Sequence, residues 1–241
     1  MDYYNIFLTF LAGFCTLIGY LVIFIKMDIN KIITRSLSFA SGIMFSISLI
    51  DLFHESINLF KTEHSIIICL ILYLLFFAIG FLLIKILSKN NHDDNLYKTG
   101  ILTMIGIILH NIPEGIITYL AFNINNKLAI NLIIMIAIHN IPEGISISIP
   151  IYYSTNSKIK AFIYTFLASI SEPLGAMLAH LFLRNIINNT ILGILLSIVS
   201  GIMIYISIFI LLKKANKYSN NNDIINYFMY GIILMLIKLL I

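Results

Sequence analysis

The chain has 241 residues, of which 60% are hydrophobic and 11% are charged, and its formal net charge is +4. A soluble domain carries roughly 25% charged residues, so this composition excludes an ordinary soluble protein and predicts an integral membrane protein. The two cysteines, Cys15 and Cys69, lie far apart inside apolar segments, which excludes a disulfide framework and a cysteine-based metal site.

Apolar runs of the length that a membrane span requires, roughly 20 residues, follow one another along the chain. In chain order the eight predicted spans are 4–25, 33–58, 65–87, 99–122, 128–152, 159–183, 190–212 and 223–241. The first run is too long for the apolar part of a signal peptide. Runs this long and continuously apolar are unlike barrel strands. The expected fold is therefore an all-α bundle of eight transmembrane helices that forms a single domain over residues 1–241.

The basic residues are divided unevenly between the two sides of this bundle. All but four of the 15 lysines and arginines follow the odd-numbered spans, the exceptions being Lys61, Lys127, Arg184 and Lys238. The positive-inside rule places the lysine-rich side in the cytoplasm, so we expect both termini outside the cell, in the inner or only membrane of a bacterium. Basic residues in short loops, without a basic stripe, give no sign of a nucleic-acid partner.

The heptapeptide HNIPEGI occurs twice, at 110–116 in the fourth predicted span and at 139–145 in the fifth. Histidine and glutamate are four residues apart in each copy and so share one helix face. Pro113 and Pro142 each remove a backbone hydrogen bond, which predicts broken helices near the middle of the membrane. Gly115 and Gly144, which follow the glutamates of the two copies, allow a neighbouring helix to approach closely.

The two copies are predicted to meet at the same depth in the membrane. The fourth and fifth spans run in opposite directions, and depth can be counted at 1.5 Å per residue from their inner ends. This count places His110 level with Glu143, and Glu114 level with His139. The copies would then be related by a local two-fold axis in the membrane plane.

A third glutamate, Glu172, lies in the middle of the sixth span and is followed by Pro173 in the sequence SEPLGA. Asn111 and Asn140 precede their glutamates by three residues and share the same helix faces. A charge at the bilayer centre costs about 2.5–3.5 kcal/mol, and no lysine or arginine lies at that depth. The glutamates are therefore either protonated or bound to cations. Imidazole, carboxylate and amide ligands together suit zinc, iron(II), manganese, cobalt or cadmium better than copper(I), calcium or magnesium.

The remaining polar candidates lie near the ends of spans. Asp51, His54 and Glu55 in the second span would form an outer metal entrance or simply a solvated helix end. His180 near the outer end of the sixth span has the same two interpretations. His92 and the aspartates beside it in the loop 88–98 would hold metal weakly at best. For the central motifs, the alternatives are histidine–glutamate hydrogen bonds that join two helices, and a protonated glutamate at position 172.

The doubled HNIPEG followed by SEPLGA in an eight-span chain resembles the ZIP (Zrt-, Irt-like protein) family of metal transporters. The resemblance is most specific in the fourth to sixth spans. It implies a helix bundle of two repeat-related halves, often a homodimer, with a binuclear metal centre. One position would use His110, Glu114, His139 and Glu143. The second would use Asn111, Glu114, Asn140, Glu143 and Glu172.

These observations predict uptake of divalent metal ions, Zn²⁺ first and then Fe²⁺, Mn²⁺, Co²⁺ or Cd²⁺, into the cytoplasm by a carrier with alternating access. A membrane metalloenzyme is the second class considered, but the zinc-protease motif H-E-x-x-H is absent from the sequence. A metal-gated channel or a metal sensor is the third class. The expected partners are metal ions, the lipid bilayer and a second copy of the chain.

Overall fold

The structure, a computed structural model, describes residues 2–89, 95–121, 126–183, 188–219 and 221–238. Within these ranges the chain is helical and contains no strand. The α-helices are α1 (Asp2–Tyr20), α2 (Ile29–Ser46), α3 (Phe53–Lys61), α4 (Ile66–Lys89), α5 (Leu96–Ala121), α6 (Asn126–Thr155), α7 (Lys158–Leu178), α8 (Asn189–Tyr205), α9 (Lys213–Ala215) and α10 (Asn221–Lys238). The all-α prediction is thereby confirmed.

Among the described residues, six helices are long and apolar enough to cross a membrane. They cover Tyr4–Phe24, Ile29–Lys61, Ile66–Ser88, Leu96–Leu120, Lys158–Phe182 and Asn189–Ala215. The fifth and eighth predicted spans correspond to α6 and α10, which are not among these six. The count of eight transmembrane helices and the placement of the termini stay predictions.

The prolines do not break the helices that carry the repeated motif, so the prediction of broken helices is wrong. The α-helix continues through Pro113 in α5, through Pro142 in α6 and through Pro173 in α7. A proline removes only one hydrogen bond from a long helix, and close packing against neighbouring helices holds the flanking turns in place. Among the described residues, the helical segments that are not α-helix lie elsewhere: a 3₁₀ turn at Leu21–Phe24 and π-helical segments at Ile47–Leu52, Ala179–Leu183 and Ile206–Leu212.

In four pairs of helices, a glycine of each helix packs directly against the backbone of the other. In each pair, a Cβ atom added to either glycine would overlap a carbonyl oxygen of the other helix. Only small residues permit such contact between membrane helices. The pairs are Gly19 of α1 with Gly144 of α6, Gly115 of α5 with Gly175 of α7, Gly80 of α4 with Gly201 of α8, and Gly42 of α2 with Gly231 of α10.

These contacts divide the bundle into two groups of helices. Helices α1, α5, α6 and α7 pack on one another, and the other helices pack chiefly among themselves. The second group is held by buried serines as well as by glycines. Ser48 Oγ donates to Ser200 O at 2.7 Å, Ser41 Oγ donates to Ser207 O at 2.9 Å, and the hydroxyl of Tyr73 lies 2.7 Å from Ser200 Oγ. The two groups meet mainly where α2 contacts α6 and where α5 contacts α8.

Candidate metal centre

The two copies of the repeated motif face each other across the contact between α5 and α6. Nε2 of His139 lies 3.0 Å from Oε1 of Glu114, and Nε2 of His110 lies 3.6 Å from Oε1 of Glu143. Within α5, Nε2 of His110 also lies 3.5 Å from Oε2 of Glu114. The structure therefore brings together the histidine–glutamate pairs that the depth count predicts.

The spacing of these ligand atoms is suited to a metal ion. One atom each from His110, Glu114 and His139 can be chosen so that all three lie within 4.8 Å of one another. Zinc binds nitrogen and oxygen ligands at about 2.0–2.2 Å, so two ligands of one tetrahedral ion lie about 3.3–3.6 Å apart. Small movements of these side chains would place them around one ion.

Burial differs between the two histidine–glutamate pairs. The side chains of His110 and Glu143 are 1% and 0% exposed, whereas those of His139 and Glu114 are 5% and 14% exposed. Glu114 and His139 lie at the level that the sequence assigns to the outer half of the bundle. In this conformation the centre is most open at Glu114 and is closed around Glu143.

The third glutamate and the two asparagines are held by contacts between helices. Asn140 donates through Nδ2 to Ala12 O at 3.0 Å and to Glu172 Oε2 at 2.8 Å. Asn111 donates through Nδ2 to Ala168 O at 3.4 Å. Each amide nitrogen is thus held by a neighbouring helix, α1 for Asn140 and α7 for Asn111, which fixes the orientation of the amide oxygen.

Several oxygens of this region are buried without a hydrogen-bond partner. They include Oδ1 of Asn111, Oδ1 of Asn140, Oε2 of Glu143 and Oε1 of Glu172. Buried polar atoms in proteins nearly always have a partner, and an exception calls for a water or an ion. A cluster of acceptor oxygens without donors fits a cation better than it fits histidine–glutamate hydrogen bonds alone.

Comparison with known proteins identifies the family of this chain. The family described as "ZIP Zinc transporter" matches residues 85–238. The proteins named zinc transporter ZupT of Clostridium perfringens and of Streptococcus mutans are each 37% identical to the chain, over 97% of it and over 94% and 96% of their own lengths. That of Chlorobaculum parvum is 34% identical, over 97% of this chain and 96% of its own. The chain belongs to the ZIP zinc transporter family.

Tight helix packing places the third glutamate of this ZIP protein beside the repeated motif. Gly115 in α5 lies against the carbonyl oxygen of Glu172, and Gly175 in α7 lies against the carbonyl oxygen of Ile112. On the other side of α7, Gly13 of α1 lies against Ser169 O and the ring of Pro173. Gly115 and Gly175 therefore let α7 approach α5 so closely that Glu172 lies beside the repeated motif.

The outer polar candidates do not join the metal centre of this ZIP protein. Asp51 lies half-buried in the π-helical segment Ile47–Leu52, while His54 and Glu55 are exposed on α3. Among the described residues, one group of His, Cys, Asp or Glu side chains lies at metal-binding distances. It consists of His110, Glu114 and His139. His92, Asp93 and Asp94 lie outside the described residues.

His180 has a partner that the sequence did not indicate. Its Nδ1 lies 2.7 Å from the hydroxyl of Tyr119, which is fully buried on α5. This contact links α5 to the π-helical segment Ala179–Leu183 that follows α7. Tyr119 follows Glu114 by five residues in an apolar run, and nothing in its spacing distinguishes it from an ordinary packing residue.

Proposed function

We propose that this protein takes up divalent metal ions, zinc foremost, across the cell membrane into the cytoplasm. The observation that carries the proposal is the buried cluster of His110, Glu114 and His139 between two antiparallel helices. Buried ionisable side chains in a membrane helix mark a substrate pathway by default. Relatives named zinc transporters, similar over nearly the whole chain, support zinc as the substrate.

The proposal includes two adjacent metal positions. The first uses His110, Glu114, His139 and Glu143, and the second uses Asn111, Asn140 and Glu172 with the same two motif glutamates as bridges. Supporting the second position, the amide nitrogens are held by other groups while the amide oxygens are buried and lack donors. Nitrogen-rich and oxygen-rich ligand sets side by side would accept Fe²⁺, Mn²⁺, Co²⁺ and Cd²⁺ as well as Zn²⁺.

The carrier would expose this centre to each side of the membrane in turn. All proposed ligands lie on α5, α6 and α7, which together with α1 form one of the two packed groups of helices. Glycine contacts with no intervening side chain hold α1 to α6 and α5 to α7. We expect this group to move as a unit against the group that contains α2, α4, α8 and α10.

The proposal keeps the membrane arrangement predicted from the sequence. Eight spans with both termini outside place the lysine-rich loops in the cytoplasm of a bacterium. A hydrated ion would approach from the outside, where Glu114 is the most exposed ligand, and Asp51, His54 and Glu55 remain the proposed entrance. The homodimer implied by the family resemblance is part of the same proposal.

Zinc uptake into proteoliposomes that contain a zinc-sensitive dye tests the proposed function. A carrier predicts entry that saturates with zinc concentration at a low turnover. Entry that rises linearly with concentration would support the metal-gated channel instead. Zinc binding without entry would overturn transport and leave a sensor. The same vesicles with iron(II), manganese, cobalt and cadmium would rank the substrates.

A further inference from the structure

A cavity of about 140 Å³ lies at the amino-terminal end of α5. The end of α4, the first turns of α5 and the end of the helix formed by α8 and α9 enclose it. It is roughly ten times the 10–15 Å³ needed to admit one water molecule, which leaves room for a phosphate group. Lys98 in its wall precedes the metal ligand proposed at His110 on the same helix by 12 residues, or about 18 Å at 1.5 Å per residue.

The lining of this cavity is basic and rich in hydrogen-bond donors. Its polar wall residues are Lys98, Lys213, Lys214, Ser88, Asn95, Thr99 and Tyr205. Among the described residues, no aspartate or glutamate lines it. The proposed metal centre is rich in carboxylates, so the two sites favour ligands of opposite charge.

Two separate helices direct positive charge toward this cavity. Lys214 in α9 is only 5% exposed, and Lys213 lies beside it. From the other side comes Lys98 in the first turn of α5, the end of the helix where the dipole favours an anion. Asn95 caps this turn by accepting from the Tyr97 N–H at 3.0 Å, so the lysines supply most of the attraction. Lys98 and Lys214 also interact with other groups of the protein, so an anion would share these lysines with those groups.

We propose that this cavity binds a phosphate-bearing anion, namely the headgroup of an anionic lipid in the leaflet that faces the cytoplasm. Basic pockets between membrane helices on the cytoplasmic side are suited to lipid phosphates. The cavity lies at the lysine-rich end of the bundle, where the positive-inside rule places the cytoplasm. The choice of leaflet rests on that predicted orientation, whereas the binding of an oxyanion does not.

A bound headgroup would bridge the two groups of helices. Lys98 belongs to α5, which carries His110 and Glu114, while Lys213 and Lys214 continue α8 in the other group. An anion held by both sides would resist their relative movement and so alter the transport rate. This consequence rests on the proposed function, but the binding itself can be measured without transport.

Native mass spectrometry of the full-length protein with phosphatidylglycerol and with phosphatidylcholine tests the site. The informative variant is Lys98→Gln with Lys213→Gln, because both side chains are less buried than Lys214 and their loss should not prevent folding. The control is Lys31→Gln with Lys85→Gln, which removes two exposed lysines from the same predicted face outside the cavity. Titration of delipidated protein with inorganic phosphate forms the second arm.

We expect the first variant to bind phosphatidylglycerol about thirty-fold more weakly, from roughly fivefold per lysine, and the control to match the wild type. Lysine-dependent binding of inorganic phosphate without retention of lipid would support the oxyanion site and assign it a soluble ligand. Equal losses in both variants, or no loss in either, would overturn the site. Zinc binding measured on the same samples separates this result from a failure of the metal centre.

Discussion

Nε2 of His139 in α6 lies 3.0 Å from Oε1 of Glu114 in α5, although the two residues are 25 positions apart in the sequence. The contact joins the first residue of one HNIPEG copy to the glutamate of the other. The reciprocal pair, His110 and Glu143, lies at 3.6 Å. The packing of two antiparallel helices therefore brings the two copies of the motif together as the two halves of the proposed centre.

Replacing His139 with glutamine should weaken zinc binding by at least about 10–100-fold, the loss typical of removing an outer-shell partner alone. Glutamine keeps similar length and polarity but offers no imidazole nitrogen. Isothermal titration with zinc measures the effect. His64→Gln is the matched control, because that histidine lies outside both the cluster and the proposed entrance. Equal losses in the two variants would contradict the assignment of His139 as a ligand.

Replacing Asn140 with alanine should reduce the zinc content from two ions to one per chain. The substitution removes a buried amide oxygen and also the donor that orients Glu172, while the histidine-containing position keeps all four ligands. Equilibrium dialysis followed by elemental analysis gives the stoichiometry. His180→Gln should leave the zinc content unchanged. A wild type that binds a single ion would refute the second position.

Zinc affinity should fall as the pH is lowered. Metal and protons compete for the imidazole and carboxylate ligands of the proposed centre. Where a ligand is protonated, each proton that zinc must displace weakens binding by up to about tenfold per pH unit. Zinc titrations between mildly acidic and mildly alkaline pH measure the slope. An affinity that stays constant across this range would contradict the competition between zinc and protons.

Replacing Gly144 with alanine should destabilise the protein by about 1–3 kcal/mol. The new Cβ atom would overlap the backbone oxygen of Thr16 in α1, and backbone cannot rotate away. At Gly100 the added Cβ would lie 2.7 Å from Cγ1 and Cδ1 of the Ile151 side chain and 3.3 Å from its backbone nitrogen. A side chain can shift where a backbone oxygen cannot, and alanine gains up to about 1 kcal/mol of helix propensity over glycine, so Gly100→Ala should be less destabilising than Gly144→Ala.

Thermal unfolding in detergent compares these two glycine variants directly. The expected midpoint of Gly144→Ala lies below those of the wild type and of Gly100→Ala. If the two variants unfold at the same temperature, the contact between α1 and α6 is looser than the structure indicates.

The metal centre was predictable because its residues repeat. Identical motifs in antiparallel spans, counted at 1.5 Å per residue, give the pairing of His139 with Glu114 without any structure. The glycines after the motif glutamates likewise indicated close packing, and Gly115 and Gly144 confirm it. These inferences needed only local spacing and the direction of two neighbouring helices.

Other features depend on contacts between distant segments, which local patterns do not encode. The contact of Tyr119 with His180 joins positions 61 apart, and the basic cavity joins the start of α5 to α9. The effect of Pro113 and Pro142 was predicted wrongly because helix propensity describes an isolated helix. In the folded bundle, the packing around α5 and α6 outweighs one lost hydrogen bond.

Zinc uptake by proteoliposomes with Glu143→Ala beside the wild type tests the central claim most directly. The matched control is Glu63→Ala, which removes an exposed glutamate that accepts a hydrogen bond from Thr190 outside the centre. We predict that Glu143→Ala folds but takes up no zinc, while Glu63→Ala and the wild type show the same saturable entry. Wild-type rates in the Glu143→Ala vesicles would contradict transport through this centre.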